Sequence, residues 1–361
     1  MTKHYLCRSL MLFAITLSCS LAILPSYSAD SEASLPAIEV KLHKLDVRPP
    51  AVYSPDGKIL AANSKTGVKL LDASSEKVLK TLDEKAERRS GMAFSRNGKL
   101  LAFANPDFSV KVWDVSSNKL VHTLPGHTMK VNGISFSRDG KLLATASADK
   151  TIKIWDVDSG KLLRTIETGS MLMQINFILD KHEIASLSLD FLIKLWDADE
   201  GKLIRRLDGN HQSFGISDDG KTLVSSQITD PRNFVYLAVD ALTKKNQYSG
   251  DLNFVDLTTG KVVRRKEMIK SNFAAVAISP DNRTVAGGNL YDYSIGFRDA
   301  ESEKELRRIT PASWPASIQF SPDGRNVLFV TDGGDAEEAS AVIIYPLDKD
   351  DVLKDRVPSQ K

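Results

Sequence analysis

Cysteine is nearly missing from this chain. Its 361 residues carry two, Cys7 and Cys19, both close to the amino terminus. From residue 29 onward there is none, so that portion can form no disulfide, no thiol nucleophile and no thiolate metal site. A surplus of charge is also lacking, with 48 basic against 46 acidic residues. Losing Lys3 and Arg8 from the amino terminus would make the two equal. Such a balance exerts no general pull on nucleic acid or an anionic membrane, and neither is an expected partner. No Cys-x-x-Cys-His, Gly-x-Ser-x-Gly or His-Glu-x-x-His occurs. Covalent haem is thereby excluded, and no cofactor or metal is expected.

The first 28 residues stand apart from the rest. Lys3 and Arg8 give a positive start, Leu10 to Leu24 is apolar or small, and Pro25 breaks the run before Ser26-Tyr27-Ser28. This order predicts a secretory signal peptide over 1–28, cut after Ser28 or Ala29, and hence a periplasmic or secreted protein. The apolar stretch is about 15 residues, shorter than the ~20 of a bilayer span, so no membrane span is expected after cleavage. A lipid anchor at Cys19 fits poorly, because Thr16-Leu17-Ser18 makes a weak lipoprotein box.

What is present is a repeat. Trp113-Asp114, Trp155-Asp156 and Trp196-Asp197 are spaced by 42 and 41 residues. A Ser-x-Asp-Gly turn recurs with its fourth position at 57, 98, 140, 220, 282 and 324, and a degraded version ends at 181. The intervals are 41, 42, 41, 39, 62 and 42 residues, so seven copies exist and the fifth carries about 20 extra. In the third copy the apolar runs Val131–Phe136, Lys141–Ser147, Thr151–Trp155 and Lys161–Ile166 are separated by Gly, Asp and Asn. Runs of that length and composition read as strands. Four strands make a sheet too small to bury both faces, and packing seven such sheets radially buries them. The expected fold is an all-β, seven-bladed β-propeller of four-stranded antiparallel blades. The expected organisation is a linker over 29–36, the propeller over 37–346 with its insertion at about 229–250, and a charged tail over 347–361. Glu39 to Leu45 resembles Lys161–Ile166, so an amino-terminal strand is expected to complete the last blade and close the ring.

These motifs resemble the WD-repeat (WD40-type) propellers, and an exported bacterial member of that family is expected. The resemblance implies a buried polar network in the third copy: Asp149 orients His127, which reaches Thr145 or Ser147, which meets the indole of Trp155. The pattern alone does not choose between the two hydroxyls, which share a face. The second and fourth copies keep Asp107 with Trp113 and Asp190 with Trp196, without the histidine. The Asp residues of the Trp-Asp pairs recur at Asp72, Asp256 and Asp299, which argues for a structural role rather than a catalytic one.

Departures from the repeat carry the functional reading. In this fold the loops between second and third strands, and those leading into the first, share the top face. Ten residues before each turn's fourth position lie Val47, Arg88, Lys130, Met171, Asn210, Asn272 and Trp314, expected around the channel mouth. Arg and large apolar residues there suit protein recognition. The fifth copy's insertion, with Phe234 and Tyr236, is read either as a binding loop or as an extension of the blade. The expected role is a non-catalytic scaffold, a monomeric propeller that binds a protein or peptide on its top face. The alternative is a propeller hydrolase or lyase acting on a small or carbohydrate substrate.

Overall fold

The computed structural model describes residues 47–82, 86–87, 90–178, 182–228, 249–269, 273–289, 294–302, 304–309, 315–331 and 341–347. Over these residues the chain forms seven antiparallel sheets, each built from strands consecutive in sequence. Blades 1 to 7 cover 47–82, 92–124, 131–167, 172–207, 211–269, 273–309 and 315–346. Six blades have four strands and the seventh has three among the described residues. The strand expected from Glu39 to Leu45, the linker and the tail beyond Leu347 lie outside them. No helix among the described residues is long and apolar enough to cross a membrane.

Blade 3 shows the plan. Its strands, from the channel outward, are Val131–Phe136, Leu142–Ser147, Thr151–Asp156 and Leu162–Glu167. Every residue of the second strand is buried, and the small side chains of Ala144 and Ala146, on one face, let blade 4 approach closely. The outer strand instead exposes Leu162 and Leu163, having a neighbour on one edge only. Seven apolar clusters result, one for each seam between adjacent blades. The cluster joining blades 7 and 1 contains Leu328, Val330, Val342 and Ile344 with Leu60, Ala62 and Leu71. The ring is therefore closed by side-chain packing at that seam.

Two further devices repeat. In the lower turns, Ser54, Ser95, Ser137, Ser217, Ser279 and Ser321 each donate a hydroxyl to the acid or amide two residues on. The fourth turn residue is left-handed, with φ between 60° and 74°, which is why Gly or Asn282 stands there. On the rim, a basic side chain of each outer strand in blades 1–5 reaches a carbonyl in the next blade's last turn. The pairs are Lys80 with Ser116 (2.7 Å), His122 with Asp158 (3.2 Å), Arg164 with Asp199, Arg205 with Thr259, and Arg264 with Glu301 (2.9 Å).

Blade 5 is the largest departure. Its second, third and outer strands, Thr222–Ile228, Ser249–Asp256 and Lys261–Ile269, run to seven, eight and nine residues. Ser249 and Gly250, expected within the insertion, belong to the third strand, and Gly250 pairs with Ile228. Residues 229–248, with Phe234 and Tyr236, lie outside the described residues.

Candidate functional site

The polar network of blade 3 runs from a top-face turn down to the third strand. His127 Nδ1 lies 2.8 Å from Asp149 Oδ2, and His127 Nε2 lies 2.8 Å from Thr145 Oγ1. Trp155 Nε1 donates to the same hydroxyl at 3.0 Å. With the carboxylate accepting from Nδ1–H, the Thr145 hydroxyl donates to Nε2 and accepts from the indole, so all four groups are paired. Burial lowers the His127 pKa and keeps the ring neutral, against the opposing pull of Asp149. Burial pushes the Asp149 carboxyl up, but hydrogen bonds from Thr151, His127 and the Thr128 N–H hold it below its usual value. Ser147 does other work: its hydroxyl donates to the carbonyls of Met129 and Lys130, fixing the loop above.

Blades 2 and 4 handle the missing histidine differently. In blade 4, Trp196 Nε1 donates to Ser186 at 2.8 Å, and Lys194 takes the place of the imidazole by pairing with Asp190 at 2.6 Å. In blade 2, Asp107 accepts from Ser109, but Trp113 departs from the expectation, since its buried Nε1 has no partner among the described residues. Phe103 stands opposite Lys111 where Thr145 stands opposite Lys153, and it offers no acceptor. The Asp residues after the tryptophans occupy turns. Asp72, Asp114, Asp156, Asp197, Asp256 and Asp299 each accept the backbone N–H three residues on.

The top face carries three exposed large apolar side chains among the described residues. Of the exposed large apolar side chains among the described residues, ten sit in pairs on the outer strands of blades 1–5. The other three are Phe108 (40%), Met129 (45%) and Met173 (38%), in top-face segments of the consecutive blades 2, 3 and 4. Phe108, Lys150 and Phe191 occupy equivalent turn positions with φ of 67°, 72° and 63°. A side chain in that left-handed region costs on the order of 1 kcal/mol, so two aromatics there are a local strain that the turn chemistry does not require.

Six of the seven inner strands, all but that of blade 2, begin with a bulge, which leaves residues unpaired and re-aims side chains. The register skips from Leu172 to Gln174 in blade 4 and from His211 to Ser213 in blade 5. Met173 is the extra residue in blade 4. Lys130 and Met171 lie half-buried one position before the strand, and their carbonyls hold the N–H groups of Ala148 (2.9 Å) and Leu189 (2.8 Å). Val47 is not at the mouth: it is buried in the seam between blades 7 and 1, because the bulge of blade 1 spans two residues, Pro49 and Pro50. Arg88, Asn272 and Trp314 lie outside the described residues. Phe108, Met129 and Met173 were missed by the constant offset, which samples one loop position per blade.

His182 lies at the bottom, 2.8 Å from Asp199 and 3.8 Å from Asp139. Among the described residues no three His, Cys, Asp or Glu side chains are placed to hold a metal. A cavity of about 580 Å³ lies between blades 5 and 6, lined in part by Phe254, Arg264, Ile278, Ala300 and Leu306.

The family model for the WD domain, G-beta repeat (WD40), matches residues 76–114 and 118–156. Each matched unit starts in the turn before an outer strand and ends on the third strand of the next blade. The chain thus carries WD40 repeats set into a seven-bladed propeller. No curated protein matches it.

Proposed function

We propose that this chain is an exported, non-catalytic scaffold that binds a protein or peptide on the top face of the ring. The observation that carries the reading is the grouping of Phe108, Met129 and Met173 on three consecutive blades. Exposed apolar side chains gathered in one place mark interaction sites, and binding energy concentrates in such anchors. Lys130, Met171 and Lys150 lie in top-face segments of the same blades, and Arg88, Asn272, Trp314, Phe234 and Tyr236 extend the candidate set. The Asp side chains support binding over a hydrolase or lyase, since they recur by blade and hold backbone N–H groups. Export is supported by the order of charge, apolar run and small residues over 1–28.

The triple variant Phe108→Ser, Met129→Ser, Met173→Ser should lose partner capture from a periplasmic or secreted fraction, while its thermal midpoint stays within a few degrees of the parent. The control Leu162→Ser, Leu163→Ser on the rim should keep it. Capture by the top-face variant equal to the parent's would remove the top face from consideration. Fractionation and amino-terminal sequencing of the mature chain test export: a protein retained in the cytoplasm with Met1 intact contradicts it.

A further inference from the structure

We propose that His211 makes the top of the seam between blades 4 and 5 an acid-operated latch. His211 heads the inner strand of blade 5, opposite Gln227. The same register position holds Val131 opposite Ser147 in blade 3 and Leu172 opposite Ser188 in blade 4. An apolar position has thus been given an imidazole. The residue is 3% exposed, and neither ring nitrogen has a hydrogen-bond partner among the described residues. Its backbone N–H donates to the Phe191 carbonyl of blade 4 at 3.0 Å, so the residue bridges the seam.

The surroundings suit a neutral ring and oppose a charged one. A Cβ placed on Gly209 would lie 2.8 Å from His211 Nε2 and also 2.8 Å from Gln227 Nε2, so ring and amide nitrogens converge on one small space. Gln227 Oε1 is engaged, accepting from Asn253 Nδ2 at 2.8 Å, which leaves the amide N–H groups facing the imidazole. A protonated ring would present two N–H donors and meet another donor.

The nearby carboxylates already hold cations. Asp208, just before the strand, pairs with Arg206 (2.7 Å). Asp251 on the third strand pairs with Arg265 of the outer strand, and Asp190 of blade 4 pairs with Lys194. Burial accordingly pushes the His211 pKa down to about 4, against the carbonyls of Asp208 and Leu207 and the Asp208 charge. A folded value below the unfolded ~6.5 means that the stabilisation is complete above that pH and is lost as pH falls from there through about 4.

An imidazolium gains an acceptor if the Gln227 amide turns its oxygen inward, which releases Asn253. Otherwise it must shift within the seam, towards the carbonyls of Asp208 and Leu207. Either response loosens the inner, second and third strands of blade 5 together, at the end where residues 229–248 join two of them.

Hydrogen exchange of the wild-type chain and of His211→Leu, at pH 7 and pH 4.5, tests the latch. Protection of the His211 and Ile228 amides, corrected for intrinsic rates, should fall by about tenfold or more in the wild type, following the tenfold change per pH unit of one linked proton. Position 211 and Ile228 in His211→Leu should change by less than about threefold. Equal loss in both chains, or no loss in the wild type, overturns the proposal. Should His211→Leu fail to fold, the carbon-bound ring proton of His211 is followed by NMR in the wild type. A titration midpoint below 5, with the Gln227 side-chain amide signals moving alongside, supports the latch. A midpoint near 6.5, or an unmoved Gln227, overturns it.

Discussion

Blades 3 and 5 share one plan of strands and turns but treat buried polar groups in opposite ways. In blade 3, Asp149, His127, Thr145 and Trp155 satisfy one another within 3.0 Å. In blade 5, Ser225 takes the place of Thr145 and Val255 that of Trp155, so the Ser225 hydroxyl is buried without a partner. Its histidine sits four residues later relative to the turn, on the inner strand, where neither ring nitrogen makes a hydrogen bond among the described residues. The seams differ too. Twelve buried side chains join blades 3 and 4, against six between blades 5 and 6 among the described residues, and the 580 Å³ cavity lies at the poorer seam. The repeat is thus cleanest where its polar network closes, and blade 5 has been released from that constraint. Sites that break a local rule are where function or strain is expected.

The contrast can be broken from either side. The largest effect belongs to Trp155→Ala, which removes a large buried side chain and leaves Thr145 short of a donor. Roughly 3–5 kcal/mol should be lost in chemical denaturation, and an unchanged midpoint would detach Trp155 from the network. Next comes Thr145→Val, which keeps the shape but strands His127 Nε2 and Trp155 Nε1. About 1–3 kcal/mol is expected for each group left unpaired. In blade 5 the matching change should act in the other direction. Ser225→Ala deletes a hydroxyl that bonds nothing, so stability should hold or rise by up to about 1 kcal/mol. A loss as large as that of Thr145→Val would mean that blade 5 has a polar partner for Ser225 after all, and the contrast would fail.

Much of this architecture was legible before any coordinates. Turn residues punctuate the chain at a period that strand and turn lengths dictate, so the seven blades and the strands of blade 3 fell close to their observed bounds. The network was legible through its resemblance to a known repeat, but the choice of Thr145 over Ser147 was not, because both face the same way. Other features depend on contacts between blades. Lys194 substitutes for an imidazole from a different strand, and Phe103 deprives Trp113 of an acceptor across the sheet. The constant offset that placed Lys130 and Met171 failed at Val47, where a two-residue bulge shifts the register. Phe108 gave a weak signal, an aromatic inside Asn105-Pro106-Asp107-Phe108, a turn that favours small residues. Only its exposure and left-handed φ mark it as a departure.

Site-specific photocrosslinking tests the central claim, that recognition occurs where top-face side chains depart from the repeat. A photoreactive phenylalanine analogue would replace Phe108 in one chain and Leu163 on the rim in another, each expressed with residues 1–28 in place. The account predicts a discrete partner adduct from position 108 and none from position 163. An adduct from position 163 alone would move recognition to the outer strands and contradict it.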